Sequence, residues 1–506
     1  MQQKRKYLFY KKHFLLYTGT YIAQLQKRCL KTGGLMTFII HCIEQVYYFL
    51  WGDWIRLPLP GGTLSLPLLV LLLIPAGIYF TVRTRGLQLR LLPDMVRLIT
   101  GSAKPEDSEQ DRKSEELSAL QALIVSTATR VGMGNLVGVV AAISAGGAGA
   151  VFWMWITALI GSATSFVEST LAQLHKQEDP LYGGYRGGPA YYIHDWVNAR
   201  RKGKTRKSLL AILFAISGLI CWCGVSQVIG NSVSSSLKNA FHISPLVSTT
   251  ALVLLAAVIV LRKNATVKVL DVLVPIMSGI YVLITLWLIV THAYQLGDVF
   301  RRIFSEAFGL RQVAAGGFGA VLMNGVKRGL FSNEAGSGSA PCAAATAETP
   351  HPARVGLTQA FGVFIDTLLC TCTAMVMLLA PEELVSGLQG MDLLQTAMYS
   401  YFGQIGVIFI ALILWMFSFS TFIGILFYAR SNVAYLFGDR WSAQTAYKLL
   451  ALVMLFIGGL AAYTFVWDLG DVGVGLMTIF NLIALLPMSN EAIESLKDYE
   501  RRRNLQ

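Results

Sequence analysis

The residues best placed to bind a ligand lie where glycines interrupt an apolar run of the chain. Gly132, Gly134 and Asn135 fall within four positions of the apolar run 117–146, and all three are poor helix formers. If that run crosses a membrane, an unwound turn leaves backbone carbonyls and amides free, which is tolerated only where they line a cavity or bind something. Close helix packing through small residues is the alternative interpretation of this stretch.

A second glycine-rich stretch pairs with the first. Gly317, Phe318 and Gly319 lie midway along the apolar run 303–328. This run is in the second half of the chain, whereas the run that contains Gly132 is in the first half. Paired interrupted helices are typical of inverted-repeat transporters, in which half-helix N-termini face a substrate carboxylate and free carbonyls hold a cation. The pairing therefore favours a transport function over packing alone.

Three polar side chains inside apolar runs add candidate ion ligands. Ser420 and Thr421 lie in the middle of a predicted span, and their hydroxyls suit a hard cation such as sodium. The alternative is that each hydroxyl bonds back to its own helix. Asp366 lies about ten residues inside the run 355–380, where a carboxylate is energetically costly. It is predicted to bind a cation or a proton, or to bridge two helices.

The composition defines the class of protein that must position these residues. Of 506 residues, 54% are hydrophobic and 14% are charged, against about 25% charged residues in soluble domains. This excludes a soluble, disordered, coiled-coil or disulfide-rich secreted protein and predicts an all-α polytopic membrane protein. With about 20 apolar residues per span, eleven spans are predicted, at 64–83, 117–146, 149–174, 208–236, 245–262, 269–291, 303–328, 355–380, 404–430, 446–466 and 471–488.

Basic residues concentrate in alternate loops. Seven Lys/Arg lie in 83–113 and eight in 176–207, and Lys327, Arg328 and the terminal residues 501–503 fall on the same side of an eleven-span topology. The positive-inside rule then puts the C-terminus in the cytoplasm of a cell carrying this protein in its inner or plasma membrane.

Three acidic residues near predicted span ends are assigned no binding role. Glu168 is expected to snorkel or pair locally at a cytoplasmic end, and Asp468 and Asp471 are expected to be solvated beside a short outer loop.

The chain divides into predicted units. Residues 1–35 carry eight Lys/Arg and no acid and are either an amphipathic surface arm or a stretch before a native start at Met36, which we favour. The other units are a leading helix with its cytoplasmic loop at 36–113, a first inverted repeat at 114–293, a second at 294–490 and a cytoplasmic tail at 491–506.

Several runs resemble those of one transporter family. The run from Gly146 to Gly161, GGAGAVFWMWITALIG, resembles the signature of the alanine or glycine:cation symporters. Similar runs occur at 187–193, 328–336, 362–367 and 481–486, and the resemblance spans about residues 40 to 490. It implies one leading helix before a five-plus-five inverted repeat like that of the neurotransmitter:sodium symporters. It also implies uptake of small neutral amino acids coupled to sodium or sometimes protons. We expect a monomer in the lipid bilayer, with no organic cofactor and no nucleic-acid partner.

The same resemblance implies roles for individual residues. The turn at Val131, Gly132, Met133, Gly134 and Asn135 is expected to hold the substrate carboxylate and ion. The pairing of the two breaks adds expected substrate contacts at Gly317, Phe318 and Gly319. A sodium ion is expected between the carbonyls of Ala128 and Val131 and the hydroxyls of Ser420 and Thr421.

Three positions depart from the family pattern. Ile229 stands where family members usually carry glutamine, Ile425 where they usually carry tryptophan, and Met133 replaces a common threonine or serine. The first two positions face the substrate in the family, so we expect side chains larger than alanine to be accepted. Alternatively, Gln227 or Trp415 refills the site and alanine remains the best substrate.

Other classes of function lack their residues. None of the seven histidines lies in the core of a predicted span, and no His-based metal pair occurs, as an intramembrane protease would require. The internal repeat favours alternating access over a channel, which usually needs an oligomeric pore ring.

Overall fold

The protein is described here by a computed structural model covering residues 35–59, 62–100, 130–200, 207–262, 268–308, 317–463 and 465–505. The predicted sodium ligand Ala128 and the basic arm up to residue 34 lie outside these ranges.

Helices account for most of the described chain. They are α1 (Leu35–Trp51), α2 (Leu68–Arg83), α3 (Leu87–Arg90), α4 (Leu92–Thr100), α5 (Val139–Gly146), α6 (Gly149–Leu174), α7 (Pro189–Arg200), α8 (Leu209–Phe241), α9 (Pro245–Val260), α10 (Lys268–Thr291), α11 (Leu296–Ala307), α12 (Gly317–Asn333), α13 (Ala340–Ala344), α14 (Pro352–Leu378), α15 (Glu382–Val385), α16 (Gly390–Phe402), α17 (Gln404–Phe437), α18 (Trp441–Leu460) and α19 (Val466–Leu505). A π-helical turn, Gly134–Gly138, leads into α5, and a 3₁₀ turn, Ala293–Gln295, leads into α11. Two antiparallel hairpins complete the structure, β1 (Asp53–Leu59) with β2 (Gly62–Pro67) and β3 (Gln177–Glu178) with β4 (Tyr185–Arg186).

Seven helices of the described chain are long and apolar enough to cross a membrane. They lie within α6, α8, α10, α14, α17, α18 and α19, and shorter apolar helices are α2, α9 and the Gly134–Gly146 segment. These confirm the predicted all-α polytopic class.

The order of helices repeats along the chain. An interrupted helix is followed by a long helix (α6 or α14), a short helix (α7 or α16) and three further helices (α8 to α10, or α17 to α19). α6 begins at Gly149 and its counterpart α14 at Pro352, while α8 begins at Leu209 and its counterpart α17 at Gln404. The separation along the chain between α6 and α14 is nearly the same as that between α8 and α17, as expected for an internal repeat.

Glycines allow the central helices to approach closely. α8 packs along α17, α18 and α19, while α6 packs along α12 and α14. A Cβ on Gly224 of α8 would lie 2.2 Å from the backbone nitrogen of Gly470 in α19, and one on Gly230 would lie 2.1 Å from the carbonyl oxygen of Leu455 in α18. Such small-residue contacts replace the hydrophobic driving force that is absent between helices in lipid.

One predicted span is wrong. The predicted span 303–328 is not one helix, because α11 ends at Ala307 and α12 begins at Gly317. α11 carries Asp298, Arg301, Arg302 and Glu306, and a window of average hydropathy merged this polar helix with the apolar start of α12. In the predicted cytoplasmic tail at 491–506, α19 runs unbroken to Leu505, and the cytoplasmic location of this segment stays a prediction.

Candidate functional site

The first break lies between Arg130 and the π-helical turn. The backbone N–H of Gly132 donates to Oδ1 of Asn135 at 2.9 Å, and the N–H of Met133 donates to Oγ1 of Thr421 at 3.0 Å. Neither Gly132 nor Gly134 has a positive φ. A Cβ on Gly132 would lie 2.1 Å from Oγ1 of Thr421, so this glycine makes room for a side chain of α17.

A buried cluster of polar atoms adjoins this break. Nδ2 of Asn135 donates to Oδ1 of Asp366 at 2.6 Å, and the hydroxyl of Ser332 lies 3.0 Å from each carboxylate oxygen. Asp366 and Asn135 are each 1% exposed. A cavity of about 10 Å³ lies against Ser332, Asp366 and Thr367, which is the space of about one water-sized particle. Carboxylate and hydroxyl oxygens around such a space suit a hard monovalent cation.

The two hydroxyls predicted to bind sodium differ in their surroundings. Thr421 reaches the first break, accepting from Met133 while its own hydroxyl donates to the carbonyl of Phe417 at 2.9 Å. Ser420 donates to the same carbonyl at 2.9 Å and is fully buried. Val131 is also buried in the break. The structure therefore brings Thr421 to the break, while the hydroxyl of Ser420 bonds back to its own helix.

The second break lies between α12 and α13. Glu334, Gly336 and Gly338 have φ of +57°, +91° and +85°, values that disrupt a right-handed helix. Ser332 immediately precedes this break on α12 and contributes to the Asp366 cluster. The two interruptions therefore meet at one polar site.

Glu168 of α6 holds the second break in place. Its carboxylate accepts from the N–H of Gly336 at 3.1 Å and from Nδ2 of Asn481 at 3.0 Å. The same amide nitrogen donates to the carbonyl of Gly336 at 3.0 Å, and the hydroxyl of Tyr192 donates to Oδ1 of Asn481. Glu168 is 0% exposed. The prediction that it snorkels or pairs locally is wrong, because its partners belong to distant parts of the chain, beyond α12 and in α19.

The predicted position of the second break is also wrong. α12 begins at Gly317 and continues through Phe318 and Gly319 as regular helix. Since α12 rises 1.5 Å per residue, Gly317 lies about 24 Å along the axis from Asn333. The ring of Phe318 faces Trp153, with centroids 6.0 Å apart. The starts of α6 and α14 lie farther apart along the chain than Gly132 and Gly317 do. The same separation, counted from Gly132, leads to the glycines that follow Asn333.

A cavity of about 40 Å³ lies between the two breaks. This volume holds roughly three water-sized groups. Its lining residues are Arg130, Met133, Gly134, Cys221, Trp222, Val225, Leu330, Phe331, Ser332, Glu334, Ser337, Ser339, Thr421, Ile425 and Val474.

The cavity wall contains one of the two predicted specificity residues. Ile425 lines the cavity. Ile229 is fully buried but is not among the lining residues described, because the cavity ends one helical turn earlier, at Val225. Gln227 points its amide nitrogen at the sulfur of Met454, Trp415 stacks on Phe419, and neither is among the lining residues described.

Arg130 adjoins the site as well, although no role was predicted for it from the sequence. Its guanidinium donates to the carbonyl of Gln359 at 2.6 Å and to Oγ of Ser165 at 2.7 Å, and it is 3% exposed. Arg130 interacts electrostatically with Glu168, Glu334 and Asp366. A single guanidinium among three buried carboxyl groups leaves negative charge that either protons or a bound cation would compensate. The signal in the sequence was an arginine within an apolar run.

A second ionic cluster ties α12 to α19. Arg328 pairs with both carboxylate oxygens of Asp471, at 3.0 and 2.9 Å, and Lys327 lies 3.0 Å from the same carboxylate. Trp51 of α1 donates to the carbonyl of Asp471 at 3.1 Å. Asp471 is 1% exposed, so the prediction that it is solvated is wrong, whereas Asp468 is half-buried. Lys327 and Arg328 are not loop charges but members of this buried cluster.

Two interrupted helices with a small polar cavity between them define a secondary transporter that is built into the membrane. The model of the sodium:alanine symporter family matches residues 59–506. The chain belongs to the sodium:alanine symporter family, and it is a transporter rather than an enzyme.

Individual relatives agree with this assignment. The chain is 41% identical to the probable sodium/glutamine symporter GlnT of Bacillus subtilis, covering 86% of this chain and 88% of that protein. It is 32% identical to the sodium/alanine symporter AgcS of Methanococcus maripaludis, covering 92% and 98%. The solved structure of MhsT in complex with L-phenylalanine matches with a TM-score of 0.52 at 13% identity, over 72% of this chain and 87% of that one. This last likeness confirms the predicted fold.

Proposed function

We propose that this protein imports small neutral amino acids, such as alanine, glycine or a related one, together with sodium by alternating access. The observation that carries the proposal is the buried cluster of Asp366, Ser332 and Asn135 beside the first break. A carboxylate in a membrane interior is costly unless a cation or proton compensates it. This one lines a cavity with space for about one water-sized particle, and Ser332 lines both that cavity and the larger one between the breaks.

The hydrogen bonds of Asn135 suggest how ion and substrate are coupled. Its amide nitrogen donates to Asp366, while its amide oxygen accepts from the N–H of Gly132. A cation at Asp366 would compete with the amide nitrogen and attract the amide oxygen, which would free the N–H of Gly132. That N–H then becomes available to a substrate carboxylate, so each ligand favours binding of the other.

A second cation position is proposed at the first break. The resemblance put a sodium ion between the carbonyls of Ala128 and Val131 and the hydroxyls of Ser420 and Thr421. Thr421 supports this position, because its hydroxyl contacts the backbone of Met133. We propose that all four residues bind this ion.

The alternative within the same class is coupling to protons, or transport of a larger neutral amino acid. A shifted preference is favoured by the apolar wall of Val225, Ile425 and Val474 and by the similarity to the probable sodium/glutamine symporter GlnT. We further propose a monomer whose C-terminus is cytoplasmic, which a reporter fused after Gln506 would test in intact cells.

Counterflow into proteoliposomes tests the function directly. Labelled alanine, glycine, serine, cysteine, valine and glutamine are offered with a sodium gradient, with a proton gradient and with neither. We expect sodium-dependent accumulation of a small neutral amino acid, lost in Asp366→Asn and retained in Thr358→Ala, a buried control on the same helix. Accumulation that follows only the proton gradient would mean that the coupling ion is the proton rather than sodium. If none of the amino acids accumulated, the proposal would be rejected.

A further inference from the structure

The cavity between the breaks contains one carboxylate. Among its described lining residues the charged ones are Arg130 and Glu334. Both terminal nitrogens of Arg130 are engaged with α14 and α6, through Gln359 and Ser165. Glu334 is half-buried, and the hydroxyl of Tyr428 donates to its Oε2 at 3.1 Å. The side chain of Glu334 is therefore held from one direction and lines the cavity from another.

The backbone of Glu334 is in a conformation that glutamate rarely adopts. Its φ is +57°, and its N–H donates to the carbonyl of Leu330 at 2.9 Å, which is the left-handed cap that ends α12. Glycine or asparagine occupies such a position at much lower cost. A strained residue that persists in a binding site indicates a role for its side chain.

We propose that Glu334 binds the α-ammonium group of the substrate. This inference rests on the proposed amino-acid transport. The substrate carboxylate would face Gly134 and the π-helical turn on one side of the cavity, and the ammonium group would face Glu334 on the other. In a site that excludes water, a charge-assisted hydrogen bond to a carboxylate is among the stronger polar contacts.

The chemistry predicts a clear rule of selection. Compounds with a free amino group should bind, whereas the hydroxy acid lactate, the unsubstituted acid propionate and N-acetylalanine should be excluded. Such analogues are rejected strongly because they lack a partner for the buried carboxylate and leave it unpaired.

The test measures how well these compounds inhibit counterflow of labelled alanine. In Glu334→Gln we expect the affinity for alanine to fall about 10- to 100-fold, while lactate inhibits no worse than before, so that the discrimination between them collapses. The exposed Glu383→Gln variant serves as the matched control. Unchanged discrimination in Glu334→Gln would overturn the proposal. A higher sodium requirement with unchanged discrimination would also overturn it, because Glu334 would then be a cation ligand.

Two further variants separate binding from folding. Glu334→Asn suits the left-handed cap better, so we expect a higher thermal midpoint together with weaker alanine binding. Tyr428→Phe removes the hydroxyl that holds Oε2, and we expect a smaller fall in alanine affinity, about 3- to 10-fold, with lactate unaffected. If both variants kept full discrimination, the proposal would be wrong. If the unaltered protein transported no amino acid, the proposed function would fail first, whatever Glu334 does.

Discussion

The two breaks interrupt their helices by different means. At the first, the glycines have ordinary φ values, and Gly132 is small so that the hydroxyl of Thr421 can enter the turn and accept a backbone N–H. At the second, Gly336 and Gly338 adopt positive φ. The freed groups of Gly336 are then bonded by Glu168 and Asn481.

The first break is therefore maintained by a contact with another helix, and the second by the conformation of its own backbone. The first break depends on a side chain from another helix, so its geometry responds to movement of α17. The second depends on the backbone itself, and Glu168 fixes it from α6. We therefore expect substitutions at the first break to affect ligand binding most, and substitutions at the second to affect stability most.

The largest effect is expected for Gly132→Ala. A Cβ would lie 2.1 Å from Oγ1 of Thr421, so we expect loss of substrate binding in the counterflow assay, with insertion intact. A Cβ on Gly134 would be 3.4 Å from the nearest atom, Cα of Ser332, so Gly134→Ala meets no clash within the protein and should lower the thermal midpoint less than Gly132→Ala. Combining Gly132→Ala with Thr421→Ala should recover part of the thermal stability, because the clash is gone. An equal loss of thermal stability in Gly132→Ala and Gly134→Ala, with no recovery in the double variant, would show that the first break depends on backbone conformation rather than on the contact with Thr421.

The next effect concerns the residue that fixes the second break. In Glu168→Gln, an amide nitrogen would face one of the donors that the carboxylate accepts from. We expect unfolding to become easier by about 1.5–3 kcal/mol, measured as a lower thermal midpoint in detergent. The exposed Glu178→Gln variant of the neighbouring hairpin should show no change. A normal midpoint in Glu168→Gln would mean that the second break holds its shape without this contact.

Gly336→Ala tests conformation without removing a contact partner. Its φ of +91° should cost alanine about 1–2 kcal/mol of stability. Gly183→Ala in the β3–β4 loop offers the same strain at φ +78° with no atom within 4 Å. We expect similar losses of thermal stability in both variants, and a loss of binding only in Gly336→Ala. Unaltered stability in both would contradict the conformational account of the second break.

A smaller effect should distinguish the two hydroxyls of α17. Thr421→Ala loses the bond from Met133, worth about 1 kcal/mol, so the sodium concentration for half-maximal uptake should rise about 5-fold. Ser420→Ala loses a bond within its own helix and should change this concentration less than about 2-fold. A larger change of this concentration in Ser420→Ala would indicate that the hydroxyl of Ser420 also binds sodium, as the sequence predicts.

The smallest effect lies at the end of α6, the helix that carries Glu168. Partial burial disfavours the charged form of His175, but hydrogen bonds with Asp195 and Glu491, at 3.0 and 2.9 Å, outweigh it and raise the pKa of His175. Because the folded-state pKa is raised, this stabilisation is complete below about pH 6.5 and is lost as pH rises through the raised value. We expect less than about 1 kcal/mol, since both acids are partly exposed.

Thermal midpoints between pH 6 and pH 9 measure this contribution. His175→Gln should flatten the profile. His351→Gln should not flatten it, because partial burial lowers the pKa of His351, so that its contribution to stability changes with pH in the opposite direction. An identical slope in His175→Gln and in the unaltered protein would show that the hydrogen bonds of His175 do not contribute to the pH dependence of stability.

The sequence by itself determined the class, the family resemblance and the first break. Apolar runs of fixed length predict spans because lipid offers no partner to the backbone, and Gly132, Gly134 and Asn135 mark a weak point in one of them. Asp366 was also identifiable, because a carboxylate inside such a run is costly wherever its partners lie.

Only the tertiary structure decided which groups meet. Glu168 reaches Gly336 across 168 residues, Arg328 reaches Asp471 across 143, and Asn135 reaches Asp366 across 231. Hydropathy along the chain assigned Glu168 and Asp471 to water or to local pairs, and it put the second break near Gly317, because it contains no information on distant partners. A buried charge is stable only when its partner is close in space, and closeness in space is a property of helix packing rather than of position in the sequence.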